Sequence, residues 1–525
     1  MSTPASQPSP DPENRPSAAT PGTTPPPGPE PKTEAASVTI DPVTGKKLWS
    51  VGTLTYTSTG IVVLFLWLLW GDFAWSMRDR SVGPMSQWYL DELKVPQYLF
   101  ALLTVSFPAA IGLILGPIIS VKSDRHRGKR GRRIPFLLVT TPIAAFGMLG
   151  LAATPFIARW MHNVLGKEHA FGGWIHNLLD GTAGGAWLVD HLQDPMIVSV
   201  VCFGVFWAAF EFATIAGQAV FGGLINDVVP KPLLGRFYGL FRAVSLIDGM
   251  IFNFWIMGKV PGYFTLILTV IGVFYGVAFM WVCLKVKEGD YPPPPPVPAP
   301  KPGHSNNWFA RFGREIATYC RECFSNPYYL SVFVLLMCAT LAFAPINIYA
   351  VRYTKSLGIS MDTYGKCLAL TYLISLSLSW FLGWMADKFH PLRMAIGFLI
   401  GYALVTLWGC FFAKTPNTYL FAWVLHGVLS GCYFTGAASL AMRLFPHSRF
   451  AQFASAAGIF GSLANMVFAP ALGMMIQGTG TATEQNYRLT WIAGCALSLI
   501  ALGAAWYVYG KFMKLGGPKN YVAPE

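Results

Sequence analysis

The chain of 525 residues is poor in charge: Asp, Glu, Lys and Arg together make up 12% of it, about half the share usual in soluble domains. Hydrophobic residues make up 53%, more than a water-soluble enzyme of this length can bury while keeping a charged surface. A disulfide framework is also missing, because the nine cysteines are scattered. Six of them (Cys202, Cys283, Cys338, Cys410, Cys432 and Cys495) fall within apolar runs, where a thiol serves as a small core residue. Cys320 and Cys323 form a CxxC pair, but no second pair lies nearby to complete the four ligands of a zinc site, so no metal is expected. No HExxH, GxSxG or P-loop pattern occurs, which leaves enzyme chemistry without a motif. Residues 1–46 are rich in Pro, Ser, Thr and Gly and hold no apolar stretch of the kind a signal peptide needs; they read as a disordered cytoplasmic tail.

What the chain does have is apolar runs, each long enough for the roughly 20 residues that cross a bilayer as a helix. Twelve spans are expected: 54–78, 96–121, 134–158, 195–225, 236–259 and 262–285, then 327–351, 363–386, 393–413, 418–443, 450–476 and 489–512. Between the sextets runs YPPPPPVPAPKPG, which proline keeps out of helix and sheet. The expected organisation is a six-helix half over 47–285, a linker over 286–326, a second half over 327–512 and a short tail over 513–525. Within the linker, Trp308, Phe309, Phe312, Ile316, Cys320 and Phe324 recur at helical spacing among arginines, as in an amphipathic helix on a membrane surface. The fold class is therefore all-α and membrane-embedded, with twelve transmembrane helices in two pseudo-symmetric halves.

Net charge is +13, but its placement excludes nucleic acid as the partner. Of the 38 Lys and Arg, 26 fall on the side of the spans that carries both termini and 10 on the other. That is the positive-inside pattern, and it predicts cytoplasmic termini. With no Asn-x-Ser/Thr sequon, the pattern suits a bacterial inner membrane.

The halves share features in register, as a transporter built from parallel repeats requires. SVKSDRHRGKRGRRIPF follows the second span and GWMADKFHPLR the eighth, so Asp124 and Asp387 correspond. NDVVPKPLLGRF follows the fourth and MRLFPHSRF the tenth, so Pro230 and Pro446 precede Arg236-Phe237 and Arg449-Phe450. In the first of these loops, Asp124-Arg125, Gly131-Arg132-Arg133 and Pro135-Phe136 resemble the signature loop of the major facilitator superfamily. The longer spacing is similar to that of the glycoside-pentoside-hexuronide:cation symporters and the sucrose/proton symporters. Ser120 stands where a glycine is usual, and the second copy keeps Gly383 without the arginines. The resemblance implies a latch of Asp124, Arg125, Gly131, Arg132, Arg133 and Asp387 across a cytoplasmic seam, stabilising the outward-facing state.

Ionisable groups within spans are costly and read as functional. The first half has Asp72, expected in the outer third of its span, with Glu211, Arg242 and Asp248. Asp248 lies twelve residues past Arg236, about 18 Å up the fifth span, and is expected near the depth of Glu211, where two carboxyls could share a proton. Arg242 is expected against Gln218 or Asp227. The second half has no acidic residue deep in a span and offers neutral groups instead, Asn347, Tyr372, His426 and Asn465, which suit a hydroxyl-rich substrate. His162, His169 and His176 recur every seven residues in the long segment 159–194 and read as a surface helix rather than a metal site.

The expected function is proton-coupled symport of a sugar or glycoside by a monomer in the lipid bilayer. Asp72, Glu211 and Asp248 are the proton-coupling candidates and Arg242 their charge partner. Asn347, Tyr372, His426 and Asn465 are the candidates for substrate contact. No cofactor is needed beyond the coupling ion, H+ or, as the alternative, Na+. A proton-antiport efflux carrier and a membrane sensor that binds without turnover are the competing readings.

Overall fold

The computed structural model describes residues 38–40, 47–291, 317–446, 449–481 and 485–524, apart from the side chains at positions 386, 387, 451 and 519. The proline linker, the start of the amphipathic segment (Trp308, Phe309, Phe312 and Ile316) and most of the N-terminal tail lie outside the described residues. Three antiparallel strands precede the first helix: β1 (Val38–Ile40), β2 (Lys47–Val51) and β3 (Leu54–Thr57), with Val38 opposite Trp49 and Leu48 opposite Thr57. The tail is thus ordered at 38–40, where alternation in VTI lets it pair.

The membrane helices are α1 (Ser58–Glu92), α2 (Gln97–Arg125), α3 (Ile134–Leu165), α4 (Pro195–Val228), α5 (Leu234–Ile251) and α6 (Val260–Lys285). In the second half they are α7 (Pro327–Ser356), α8 (Met361–Phe389), α9 (Pro391–Phe412), α10 (Pro416–Gly436), α11 (Phe450–Thr479) and α12 (Arg488–Lys514). By length and hydropathy, ten helical stretches among the described residues could cross a membrane. One of them, Lys231–Lys285, is two spans: Arg132 bonds both Asp227, just before it, and Glu288, just after it, so the stretch must turn back on itself. The twelfth, α10, falls short in hydropathy because its sequence is interrupted by Asn, Thr, His and Ser, of which His426, Ser430 and Thr435 face a cavity.

Sequence chemistry fixes the helix starts. Pro195, Pro327, Pro391 and Pro416 open α4, α7, α9 and α10, each just after a side chain that accepts a backbone N–H: Asp194, Asn326, His390 and Thr415. Proline at the first helical position gives up an N–H that has no partner there anyway. The expected tenth span ends early, at Gly436, with a turn before the short helix Leu440–Leu444.

Packing is strongest within each half, α3 on α4 and α6 in the first and α7 on α12 in the second, while α2 against α11 and α5 against α8 join the two. Small residues set the closest approach. A Cβ on Gly147 of α3 would meet the backbone of Phe210 on α4 at 2.8 Å, which is how membrane helices without a hydrophobic driving force pack tightly. The segment 159–194 forms two short helices, Ala170–Leu179 and Gly185–Gln193, and its histidines bond backbone: His176 to Leu165 and His162 to Gln193.

Candidate functional site

A cavity of about 670 Å³ lies between the halves. Arg80 of α1 and Arg242 and Leu246 of α5 form one wall; Asn347 of α7, Tyr372 of α8 and Trp423 and His426 of α10 are on the other. Along α10 the lining continues through Ser430 and Thr435 to Ala438, so the cavity runs from mid-membrane to the face that carries the chain termini.

Three of the four neutral residues expected to meet substrate converge here. His426 is 1% exposed and stacks on Trp423 with ring centroids 5.4 Å apart. Its Nδ1 lies 2.9 Å from the Tyr402 hydroxyl and its Nε2 3.1 Å from Asn347 Oδ1. With its proton on Nε2 the ring donates to Asn347 Oδ1 and accepts from Tyr402, whose hydroxyl then gives up its 3.1 Å bond to Ala342 O. The Tyr372 hydroxyl accepts a hydrogen bond from Arg80 Nη1 at 3.0 Å, joining the two walls. Asn465 is elsewhere, in a second cavity of about 400 Å³ bounded by Ala109, Leu336 and Gly461. Its depth on α11 was readable, but its facing was not.

The charged groups are arranged differently from expectation. Because α1 runs on to Glu92, Asp72 lies fourteen residues from the start of the helix and twenty from its end, near the middle and not in the outer third. The same extension puts Arg78, Asp79 and Arg80 inside the membrane, three groups the hydropathy reading assigns to a loop. Arg78 is fully buried and bonds Asp79 Oδ1 at 2.6 Å and the Tyr275 hydroxyl at 3.1 Å, with Trp75 stacked 3.8 Å from its guanidinium carbon. The sequence carries no signal for this extension: Gly83-Pro84 reads as a helix stop, yet α1 runs on through Pro84.

Asp72 and Asp248 are 1% and 0% exposed and are electrostatic neighbours of one another and of Arg80. Asp72 Oδ1 accepts from Ser76 at 3.3 Å; its Oδ2 and both oxygens of Asp248 have no hydrogen-bond partner. Glu211 faces Arg78 and Asp79 instead, so the expected pairing of Glu211 with Asp248 gives way to Asp72 with Asp248. Arg242 meets neither Gln218 nor Asp227; it opens into the cavity beside Arg80.

Asp227 serves the signature loop. Arg132 binds it through two bonds, at 2.9 and 2.5 Å, and Arg133 through one at 3.1 Å, while Arg133 also pairs with Asp124 at 2.5 Å. Glu288 accepts the backbone N–H groups of Arg132, Arg133 and Ile134 at 2.9, 2.8 and 2.6 Å, capping α3. Gly131 holds a left-handed φ of +94°, and a Cβ there would strike Glu288 at 2.5 Å. The Asp227 carboxylate pushes the Arg132 pKa up through its hydrogen bonds. All these partners lie in the first half or just past its last helix, so in this state the cluster ties α2, α3, α4 and the end of α6 together and does not cross a seam. Arg125 also has interactions of its own. The Asp387 side chain lies outside the described residues.

The halves meet most firmly on the opposite face. Arg352, 2% exposed, reaches from α7 into the α1–α2 turn, donating to Leu90 O at 3.2 Å, Val95 O at 3.0 Å and Gln97 Oε1 at 2.7 Å. It lies 3.4 Å from Asp91, and Lys355 pairs with Asp91 at 2.8 Å and with Glu92. Gln97 also donates to the Tyr487 hydroxyl at 2.9 Å. This side is shut.

The sequence profile of the Major Facilitator Superfamily matches residues 332–519. A search of curated protein sequences gives no match. Among solved structures, the chain is similar to a bacterial homologue of the human lysosomal transporter Spinster in its inward-facing, unoccupied conformation, with a TM-score of 0.60 at 12% identity, covering 90% of this chain and all of that one. It is similar to a D-xylose-proton symporter (TM-score 0.54, 12% identity, 86% and 97% covered) and to the nucleoside transporter NupG (0.55, 10%, 85% and 99%). At these identities the likeness shows the fold: twelve helices in two halves, the major facilitator arrangement.

Proposed function

We propose that this chain is a secondary active transporter of the major facilitator superfamily that moves a sugar or glycoside together with protons by alternating access. The observation that carries the reading is the central cavity: unpartnered buried carboxyls stand behind one wall, and a hydrogen-bonding, aromatic wall faces them. Buried carboxyls without hydrogen-bond donors are stable only when protonated or paired. Proton occupancy of Asp72 and Asp248 is therefore linked to the charge of Arg80 on the wall that substrate touches, and that of Glu211 to Arg78 and Asp79. The shut opposite face and the cavity reaching the terminal face fit one end-state of such a cycle.

Orientation follows from the basic residues. Arg78 and Arg80 leave the opposite-face loops for the membrane, which sharpens the positive-inside bias. The terminal face is accordingly cytoplasmic, the state inward-facing and the host membrane a bacterial inner membrane. One monomer holds the whole cavity. The resemblance to the sucrose and glycoside symporters, carried by the signature loop, agrees with the solved xylose-proton symporter having the same fold.

The test is external pH in lightly buffered, de-energised cells after pulses of sucrose, maltose and related glycosides, with Asp72→Asn and Glu211→Gln alongside. Alkalinisation for one sugar, lost in a carboxyl variant that reaches the membrane, is the expected result. No pH change for any member of the panel removes proton/sugar symport and leaves sodium coupling or efflux.

A further inference from the structure

We propose that the groove between α1 and α6 holds an anionic phospholipid from the leaflet on the terminal face, its acyl chain along the helices and its phosphate among Lys129, Arg130 and Lys287. The site is separate from the central cavity, and its occupancy does not depend on what the carrier moves.

The groove is apolar and opens outward. Trp67 and Trp70 of α1 and Val273, Phe274, Val277 and Trp281 of α6 bound a volume of about 620 Å³. Trp70, Val273, Val277 and Trp281 are exposed, so this face of the two helices is turned away from the protein core. Ring pairs form its walls: the centroids of Trp67 and Trp281 are 6.2 Å apart, and those of Trp70 and Phe274 5.6 Å. Large rings with few rotatable bonds give the groove a fixed shape.

Its length fits one leaflet. Val273 lies at the midpoint of α6, and from there the exposed face runs eleven residues to Leu284, about 17 Å of helix. The hydrocarbon core is about 30 Å thick, so the groove covers close to half of it. That is the reach of a lipid chain and only half the reach of a transmembrane helix from another protein.

The charge stands at the matching end. Beyond Trp281, a second cavity of about 310 Å³ lies between the end of α6 and the α2–α3 loop, lined by Leu284, Lys287, Lys129 and Arg130. Leu284 is three residues past Trp281 and exposed like it, so the apolar groove leads into the basic cavity along one helix face. The three cations are exposed, and none has an ion pair or a side-chain hydrogen bond among the described residues. Arg132 and Arg133 of the same loop differ, being held by Asp227 and Asp124. The one carboxylate lining the cavity, Glu288, already accepts three backbone N–H groups and the Tyr291 hydroxyl. A phosphodiester with its chain attached fills both parts of this feature, whereas a soluble anion leaves the groove empty and a neutral lipid leaves the cations without a counter-charge. The bound phosphate ties the α2–α3 loop to the end of α6, in parallel with the bonds from Glu288.

Native mass spectrometry of the purified full-length protein, titrated with phosphatidylglycerol and phosphatidylcholine of identical chains, tests the site. Three cations make phosphatidylglycerol the tighter ligand by at least about tenfold. Lys129→Gln, Arg130→Gln and Lys287→Gln together remove that preference and leave phosphatidylcholine unchanged; the single variants each remove part of it and serve if the triple variant is unstable. Val277→Trp fills an exposed groove position and weakens phosphatidylglycerol about tenfold with every cation in place, the equivalent of roughly two buried methylenes. Equal retention of the two lipids overturns the proposal, as does a preference that survives the glutamine variants or phosphatidylglycerol binding untouched by Val277→Trp. Glycerol 3-phosphate binding as tightly as phosphatidylglycerol would reduce the site to one for a free anion, and a wild-type dimer that Val277→Trp dissociates would give the groove to a second copy; either result also overturns it.

Discussion

Replacing Arg352 by Gln should open the face that is now shut. The guanidinium makes three hydrogen bonds to the α1–α2 turn and one ion pair, all between halves and all buried. A hydrogen bond from a charged donor contributes about 1.5–3 kcal/mol. The glutamine amide carries two N–H donors, so at least one bond is lost and the other two fall from charged to neutral strength, about 1 kcal/mol weaker each. A loss of about 3 kcal/mol is the lower end, which shifts the closed-to-open ratio on that face roughly a hundredfold. Lysine should not rescue it, because a single ammonium lacks the planar fork that reaches all three acceptors. Distances between spin labels at Tyr98→Cys and Lys414→Cys, two exposed positions on opposite halves, in a Cys320→Ser background, report the change as a second, longer population. A ratio within about threefold of wild type would refute the lock as the main brace of this state.

Glu288→Ala strips three N–H groups at the start of α3 of their acceptor and should cost about 1–2 kcal/mol, read as a lower melting temperature in detergent; an unchanged value contradicts the cap. His390 is buried between α8 and α9, and its Nδ1 accepts the Leu392 N–H at 3.2 Å. Burial, with Arg443 and Arg393 near, pushes its pKa down to about 4. The unfolded chain takes up this proton near pH 6.5 and the folded chain only near 4, so stability falls as pH drops through that window. His390→Asn keeps a capping side chain and removes the titration; its melting temperature should decline less than that of wild type between pH 6.5 and 4.5, and parallel declines would exclude the assignment.

The twelve spans and their arrangement in two halves were legible in the sequence because burial in lipid writes itself into hydropathy and proline position, one residue at a time. Span starts at Pro195, Pro327 and Pro391 follow from local capping chemistry. The far end of α1 was misread because charge was taken to mean water, whereas Arg78 is satisfied inside the membrane by Asp79 and Trp75 of its own helix and by Tyr275, a matter of packing between α1 and α6. Which carboxyl faces which arginine was likewise beyond the sequence. The depth of Asp248 along α5 follows from helical rise, but its meeting with Asp72 rather than Glu211 depends on how α5 is rotated against α1. Asn465 shows the same limit: its place on α11 follows from the sequence, but it is turned into another cavity. The sequence alone determined the number of helices and their order, since those depend on length and composition. Only tertiary structure decided partners, the shut face at Arg352 and the wall shared by Arg80 and Arg242, because these depend on rotations and contacts between segments hundreds of residues apart.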